Sequence, residues 1–161
     1  MICITGTPGV GKSTVMSEIS DRGYKALEFD NLIGECVVEI KDGEKIVDEK
    51  CLRKIRKDGI YFGHLSHYAD CETVVVIRSH LKELEERLKK RGYSNSKIMD
   101  NVESEAIDLI GVEAERLHPG KTAEILNTSL EETADFIENV IKGKDSKRVK
   151  IDLTEEILNW Y

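Results

Sequence analysis

Positive charge is in short supply in this chain: 24 Lys and Arg stand against 31 Asp and Glu, a net charge of −7. Such a balance argues against broad electrostatic binding of nucleic acid, and no sequence-specific nucleic-acid contact is expected. Long apolar runs are missing too, none approaching the ~20 residues of a membrane span, so no membrane partner is expected. No basic segment precedes the first apolar run, so no signal peptide is expected and the expected compartment is cytoplasmic. Only four cysteines occur, Cys3, Cys36, Cys51 and Cys71, and none forms a C-x-x-C pair. That scatter speaks against zinc or a disulfide framework, and all four are expected as buried or surface thiols. No linker, repeat or low-complexity tract divides the 161 residues, which suit one domain with a sizeable core.

What is present is concentrated near the N-terminus. Gly6-Thr7-Pro8-Gly9-Val10-Gly11-Lys12-Ser13-Thr14 fits the P-loop pattern G-x-x-x-x-G-K-[ST] at every fixed position. Ile2-Cys3-Ile4-Thr5 before it reads as a buried strand, and Val15, Met16 and Ile19 after it fall at helical spacing. Glycines let the backbone approach a polyphosphate, successive N–H groups form an anion-binding concavity, and the helix N-terminus adds positive potential. Lys12 suits charge neutralisation on the β- and γ-phosphates, and the Ser13 hydroxyl suits Mg²⁺. A Rossmann reading fails, because Thr14 stands where Gly9-Val10-Gly11 would need a third glycine.

Strands and helices alternate along the rest of the chain. Strands are expected at Tyr24–Phe29, Ile60–Phe62, Thr73–Ile77 and Ala123–Leu126, with a hairpin around Asp42-Gly43. Asp30 is expected to cap a short helical turn, and Asp48 to open a helix reaching about Lys57. Helices are expected from His80 to Arg91, from about Lys97 to Leu117, from Ser129 to about Lys142, and at the C-terminus to Tyr161. Ser129 and Glu132 have capping-box spacing, Asp152 and Glu155 a D-x-x-E start, and Gly143–Arg148 reads as a polar loop. This alternation implies an α/β fold, a parallel sheet covered on both faces, with the P-loop at its carboxyl edge.

The chain lacks the N-K-x-D motif of switch GTPases and the apolar-strand-then-Asp pattern of ATPase motors; the Thr73–Ile77 run leads into Arg78 instead. Arg78, Arg87 and Arg91 suit phosphoryl transfer, since guanidinium groups clamp phosphates and balance transition-state charge. For Arg87 a solvated helix face is the favoured reading, because Glu83, Glu85, Glu86, Lys89 and Lys90 surround it. For Arg91, beside the Gly92-Tyr93 break, both roles stay open. His64 stays open between a functional and a structural role, while His67, His80 and His118 read as structural.

The P-loop closely resembles that of the adenylate kinase isoenzyme 6 family, small nucleoside-monophosphate kinases also linked to small-ribosomal-subunit assembly. Further blocks agree: Val76-Ile77-Arg78, Leu84-Glu85-Glu86-Arg87-Leu88, Arg91-Gly92-Tyr93, and Asp100-Asn101-Val102-Glu103-Ser104-Glu105. Gly63-His64-Leu65-Ser66-His67 is similar to the archaeal form of the family's histidine motif. The likeness runs from residue 1 to about residue 117 and is loose beyond Gly120.

The resemblance implies a single three-layer P-loop kinase domain over residues 1–161 with a five-stranded parallel sheet. It implies a monophosphate-binding insertion at about 28–48 and a short lid at about 90–100. Gly9, Val10, Gly11, Lys12, Ser13, Thr14 and Arg91 would bind ATP, with Lys12, Arg91 and His64 catalytic and Ser13 on Mg²⁺. The loop from Asn127 to Ser129 would lie by the adenine. The implied reaction is γ-phosphoryl transfer from Mg·ATP to AMP, giving two ADP, with ATPase activity and a role in small-subunit maturation and rRNA processing alongside. Two other readings stay open. One is an ATP-gated assembly factor whose partner is a small-subunit ribosomal protein of the uS11 type. The other is a kinase for a different small acceptor. The chain departs from the family pattern at Phe62, where many relatives have an acid two residues before the histidine; Asp30 and Asp70 are the candidates to replace it.

Overall fold

The computed structural model describes residues 1–144 and 150–160. Five strands form one parallel sheet: β1 (Ile2–Thr5), β2 (Ala26–Glu28), β5 (Ile60–Phe62), β6 (Thr73–Arg78) and β7 (Thr122–Leu126). Their order is β2-β5-β1-β6-β7, so the strand that leads into the P-loop is central. Ile4 sits opposite Phe62 on one side and Val75 on the other, and all pairs are parallel. Every carboxyl end therefore lies at the same edge of the sheet. A separate antiparallel hairpin, β3 (Val37–Lys41) and β4 (Glu44–Val47), stands between β2 and β5 in the chain.

Alternation along the strands divides the core in two. Ile4, Phe62, Val75 and Ile77 face one layer, with Val15 and Ile19 of α1 (Lys12–Asp21), Leu81, Leu84 and Leu88 of α3 (Leu81–Lys90), and Ile137 of α6 (Leu130–Ile141). Cys3, Tyr61, Val74 and Val76 face the other, with Phe29, Leu52 of α2 (Glu49–Leu52) and Ala114 of α5 (Leu109–Leu117). Strands buried on both faces explain the nearly continuous apolar runs. The result is the expected three-layer α/β P-loop architecture.

Several local expectations need correction. The helix expected over Lys97–Leu117 is two: α4 (Asn95–Ala106) ends and α5 begins at Asp108, whose backbone is left-handed with φ 55°. The Asp108 carboxylate accepts from Gly111 N at 3.1 Å, which caps α5 and offsets the strain. Asp48 does cap α2, but that helix stops at Leu52, and the chain turns so that Ile55 O accepts from Asp70 N at 2.9 Å. Asp30 lies inside the short turn Phe29–Leu32 and caps nothing. Ser129 accepts from Glu132 N at 3.3 Å, forming one half of the capping box. The final helix, α7 (Thr154–Trp160), starts two residues after Asp152. The loop expected over Gly143–Arg148 from residue 145 onward, and the helix end at Tyr161, lie outside the described residues.

The cysteines are the largest departure. Cys3 is bridged to Cys71, and Cys36 to Cys51, so all four expected thiols are disulfides. Strand pairing accounts for the first bridge: β1 and β6 are in register, which brings Cys3 near the start of β6 although the cysteines are 68 residues apart. The second closes the root of the hairpin across 15 residues.

Candidate functional site

The P-loop joins β1 to α1 at the carboxyl edge of the sheet. Gly9 and Gly11 have φ of 100° and 105°, a region side chains rarely adopt. Sterics also require both: a Cβ at Gly9 would lie 2.8 Å from Leu84 Cδ1, and one at Gly11 2.6 Å from Asn127 Nδ2. No side chain caps the start of α1, whose first N–H groups remain available to an anion.

Lys12 folds along the loop, donating to Gly6 O at 2.6 Å and Thr7 O at 3.1 Å. Burial lowers its ammonium to about 7, with the Arg91 guanidinium lowering it further while Glu105 and Asp30 oppose. Val10 contributes less than its neighbours: its side chain is buried, its N–H donates to Thr7 O, and its carbonyl accepts from Arg87 and Asn127.

Two cavities flank the loop. One, of about 500 Å³, lies against Gly9, Gly11 and Thr14 and is walled by Arg87, Arg91 and Asn127. The other, of about 150 Å³, is formed by Lys12, Ser13, Glu28, Asp30, Phe62 and His64. Glu28 ends β2 and Asp30 follows it, while Phe62 ends β5 and His64 follows it. The parallel register Glu28 to Phe62 therefore brings both loops beside Lys12. Desolvation first, and the Lys12 charge second, lower the His64 ring below its ordinary range. The loop carrying His64 is fixed from beneath: Thr5 Oγ1 donates to His64 O at 3.2 Å and pairs with His67 Nδ1 at 2.8 Å. His67 Nε2 in turn meets Glu113 at 3.0 Å, so His67 is structural, as expected.

The arginines separate in a way the sequence did not reveal. Arg78 is buried in the core, not in the phosphate region. It pairs with Glu105, with Asp108 at 3.1 Å and with Glu124 at 3.0 Å, and donates to Ile151 O at 3.1 Å. Its expected part in phosphate clamping is therefore corrected to a structural one. Arg87 departs in the opposite direction: its Nη1 donates to Gly9 O at 3.3 Å and Val10 O at 3.1 Å, gripping the P-loop itself. The available signal was its i,i+4 spacing to Arg91, which puts both on one helix face. Asn127 grips Val10 O from the other side at 2.8 Å and is held by Thr133 at 3.0 Å. Of the two candidate acids, Asp30 faces the small cavity. Asp70 is exposed on the surface, 3.7 Å from Arg56. Glu28, not singled out in the sequence, joins Asp30 there.

Residues 2–108 match the AAA domain family. A protein of Archaeoglobus fulgidus named "Putative adenylate kinase" is 39% identical over 153 residues, covering 92% of this chain and 85% of that one. A Thermococcus onnurineus protein of the same name is 36% identical, covering 97% and 92%. Among solved structures, a Thermus thermophilus protein matches at 16% identity with a TM-score of 0.51, covering 90% of this chain and 97% of that one, which supports the fold alone. With identity of this size along nearly the whole chain, the protein belongs to the archaeal adenylate kinase-like P-loop family, the isoenzyme 6 type that its motifs resemble.

Proposed function

We propose that the protein is a nucleoside-monophosphate kinase that moves the γ-phosphoryl of Mg·ATP to AMP. The observation that carries this reading is the pair of cavities against the P-loop, the larger at Gly9, Gly11 and Thr14 and the smaller at Lys12 and Ser13. The larger, with Arg87, Arg91 and the Asn127–Thr128 loop, takes the donor nucleotide. The smaller opens toward the 28–48 insertion, which takes the acceptor, while residues 90–100 serve as the lid that brings Arg91 onto the phosphates.

The transfer asks little covalent chemistry of the protein. An acceptor phosphate oxygen attacks the γ-phosphorus, the bond to the β,γ-bridging oxygen breaks, and ADP leaves with that electron pair. Lys12 and Arg91 neutralise charge on the transferred group, and the loop N–H groups hold the donor phosphates. His64, held neutral beside Lys12, orients the acceptor side by hydrogen bonding. The donor set of the small cavity fits Mg²⁺: a Ser13 hydroxyl and the Asp30 and Glu28 carboxylates are hard oxygens. No cluster of three or more His, Cys, Asp or Glu able to hold a metal occurs among the described residues. When bound, Mg²⁺ supplies charge neutralisation across the β- and γ-phosphates. Asp30 would take the role that Phe62 cannot fill, its carboxylate helping to hold the ion.

Among the described residues no helix is long and apolar enough to cross a membrane, and a cytoplasmic location suits ATP and AMP as substrates. The assembly-factor reading, with a uS11-type ribosomal protein as partner, is favoured by one observation. The hairpin leaves Val38 and Ile40 each 67% exposed on a net acidic chain, a surface suited to a basic protein partner.

The test is coupled ADP formation from Mg·ATP with AMP, CMP, GMP or UMP, beside ATP alone. Stimulation mainly by AMP supports the proposal. ATP binding with no stimulation by any monophosphate refutes it in favour of the assembly reading or another acceptor.

A further inference from the structure

One ion pair joins the two segments assigned above to the lid and the acceptor insertion. Lys97, in the first turn of α4, places its Nζ 2.8 Å from Glu44 Oε1 at the start of β4. The same ammonium lies 4.4 Å from the centre of the Tyr93 ring, and Tyr93 packs against the main core. Lys97 is thus held between an anchored aromatic ring and a carboxylate on the hairpin. Glu44 also lies within electrostatic reach of His64, which lines the small cavity.

The hairpin has little else to hold it. It forms its own two-stranded sheet, not hydrogen-bonded to the five-stranded one. Among the described residues, Lys97–Glu44 is the ion pair that ties β3 or β4 to another element. Its root, by contrast, is firm: Cys36 is bridged to Cys51, and Asp48 N donates to Cys36 O at 2.9 Å.

We propose that Lys97 and Glu44 form an electrostatic latch between lid and hairpin, and that breaking it sets how readily the nucleotide cleft opens. This rests on the kinase reading for the identity of the moving parts. Neither residue lines either cavity, so both are positioning residues. Cleft opening limits release in many enzymes of this kind, so a weaker latch loosens retention of nucleotide before it affects chemistry.

The test uses the full chain with Glu44→Gln, Lys97→Met, the double variant and the exchanged pair Glu44→Lys with Lys97→Glu. Two quantities are read: KM and kcat for AMP, and the dissociation rate of a fluorescent ATP analogue. Each single change should raise KM and the dissociation rate about two- to fivefold without lowering kcat, the scale of an exposed ion pair. The double variant should be no worse than either single one, and the exchanged pair should recover most of the loss. At about 1 M salt, where screening acts within ~3 Å, wild type and variants should converge. Additive single effects, no recovery in the exchanged pair, or a difference persisting at high salt would overturn the latch. Analogue dissociation requires no turnover, so it decides the latch even if AMP proves not to be the acceptor.

Discussion

Lys12 makes ATP binding a proton-uptake reaction above neutral pH. Burial, with Arg91 nearby, lowers its ammonium to about 7 in the free protein, while a bound triphosphate returns it to the ordinary lysine range. Between those two values the complex holds one more proton than the free protein, so affinity must fall as pH rises. Over roughly pH 7.5 to 9.5 the loss is about 70-fold, or about 2.5 kcal/mol, if Lys12 is the group responsible. The last phosphate ionisation, near ~6, lies below that window and does not contribute. Calorimetric titration of Mg·ATP in two buffers of different ionisation enthalpy should show uptake of about 0.9 proton at about pH 8. A guanidinium stays charged throughout, so Lys12→Arg should bind more weakly but with a flat pH profile. Constant wild-type affinity across the window, or no proton uptake, would refute the argument that burial neutralises this lysine.

Arg87→Ala removes two donors from the P-loop carbonyls. It should weaken ATP binding by about three- to tenfold in equilibrium titration, with an unchanged melting temperature. Asp30→Asn should raise the Mg²⁺ concentration for half-maximal turnover by about tenfold, whereas Asp70→Asn, on the surface with Arg56, should leave it unchanged. Asp108 is raised to about 8 by burial and by its hydrogen bond to Glu124, against the pull of Arg78. Its folded value exceeds its unfolded one, so stability is greatest below the ordinary carboxylate range and falls as pH rises to about 8. Asn keeps the Gly111 cap and accepts a left-handed backbone, so Asp108→Asn should stabilise by about 1–2 kcal/mol at pH 8. Denaturant melts at several pH values, with a flatter profile expected for the variant, check this.

What could be read from the sequence was whatever short-range chemistry dictates. The P-loop, the β-branched run of β6 and the Asp42-Gly43 turn each carry their conformation in adjacent residues, and all three stand as expected. Asp108 shows the limit. Helical periodicity runs through it from Lys97 to Leu117, and the break appears because a buried arginine from β6 draws its carboxylate inward. The same holds for the cysteines: the absence of C-x-x-C spacing says nothing about which strands lie side by side, and register placed Cys3 beside Cys71.

Composition around Arg87 is that of a solvated face, and composition around Arg78, after a core strand, is that of a phosphate ligand, yet Arg78 is locked in the core and Arg87 holds the P-loop backbone. The cause is where the carboxylates fall. Glu105, Asp108 and Glu124 come from α4, the α4–α5 break and β7, and they converge on Arg78 only once the sheet is assembled. A guanidinium held by three acids at the centre of the fold has little positive potential left for phosphate. Among the described residues Arg87 is paired only at its exposed edge, with Glu83 at 3.8 Å, so its charge remains directed at the loop. Locating a cation therefore does not locate a phosphate site; the site lies where a cation is left without enough acids to match it. In this fold that condition is met beside the P-loop, where Arg87 and Arg91 wall the larger cavity and Lys12 lines the smaller together with Asp30 and His64.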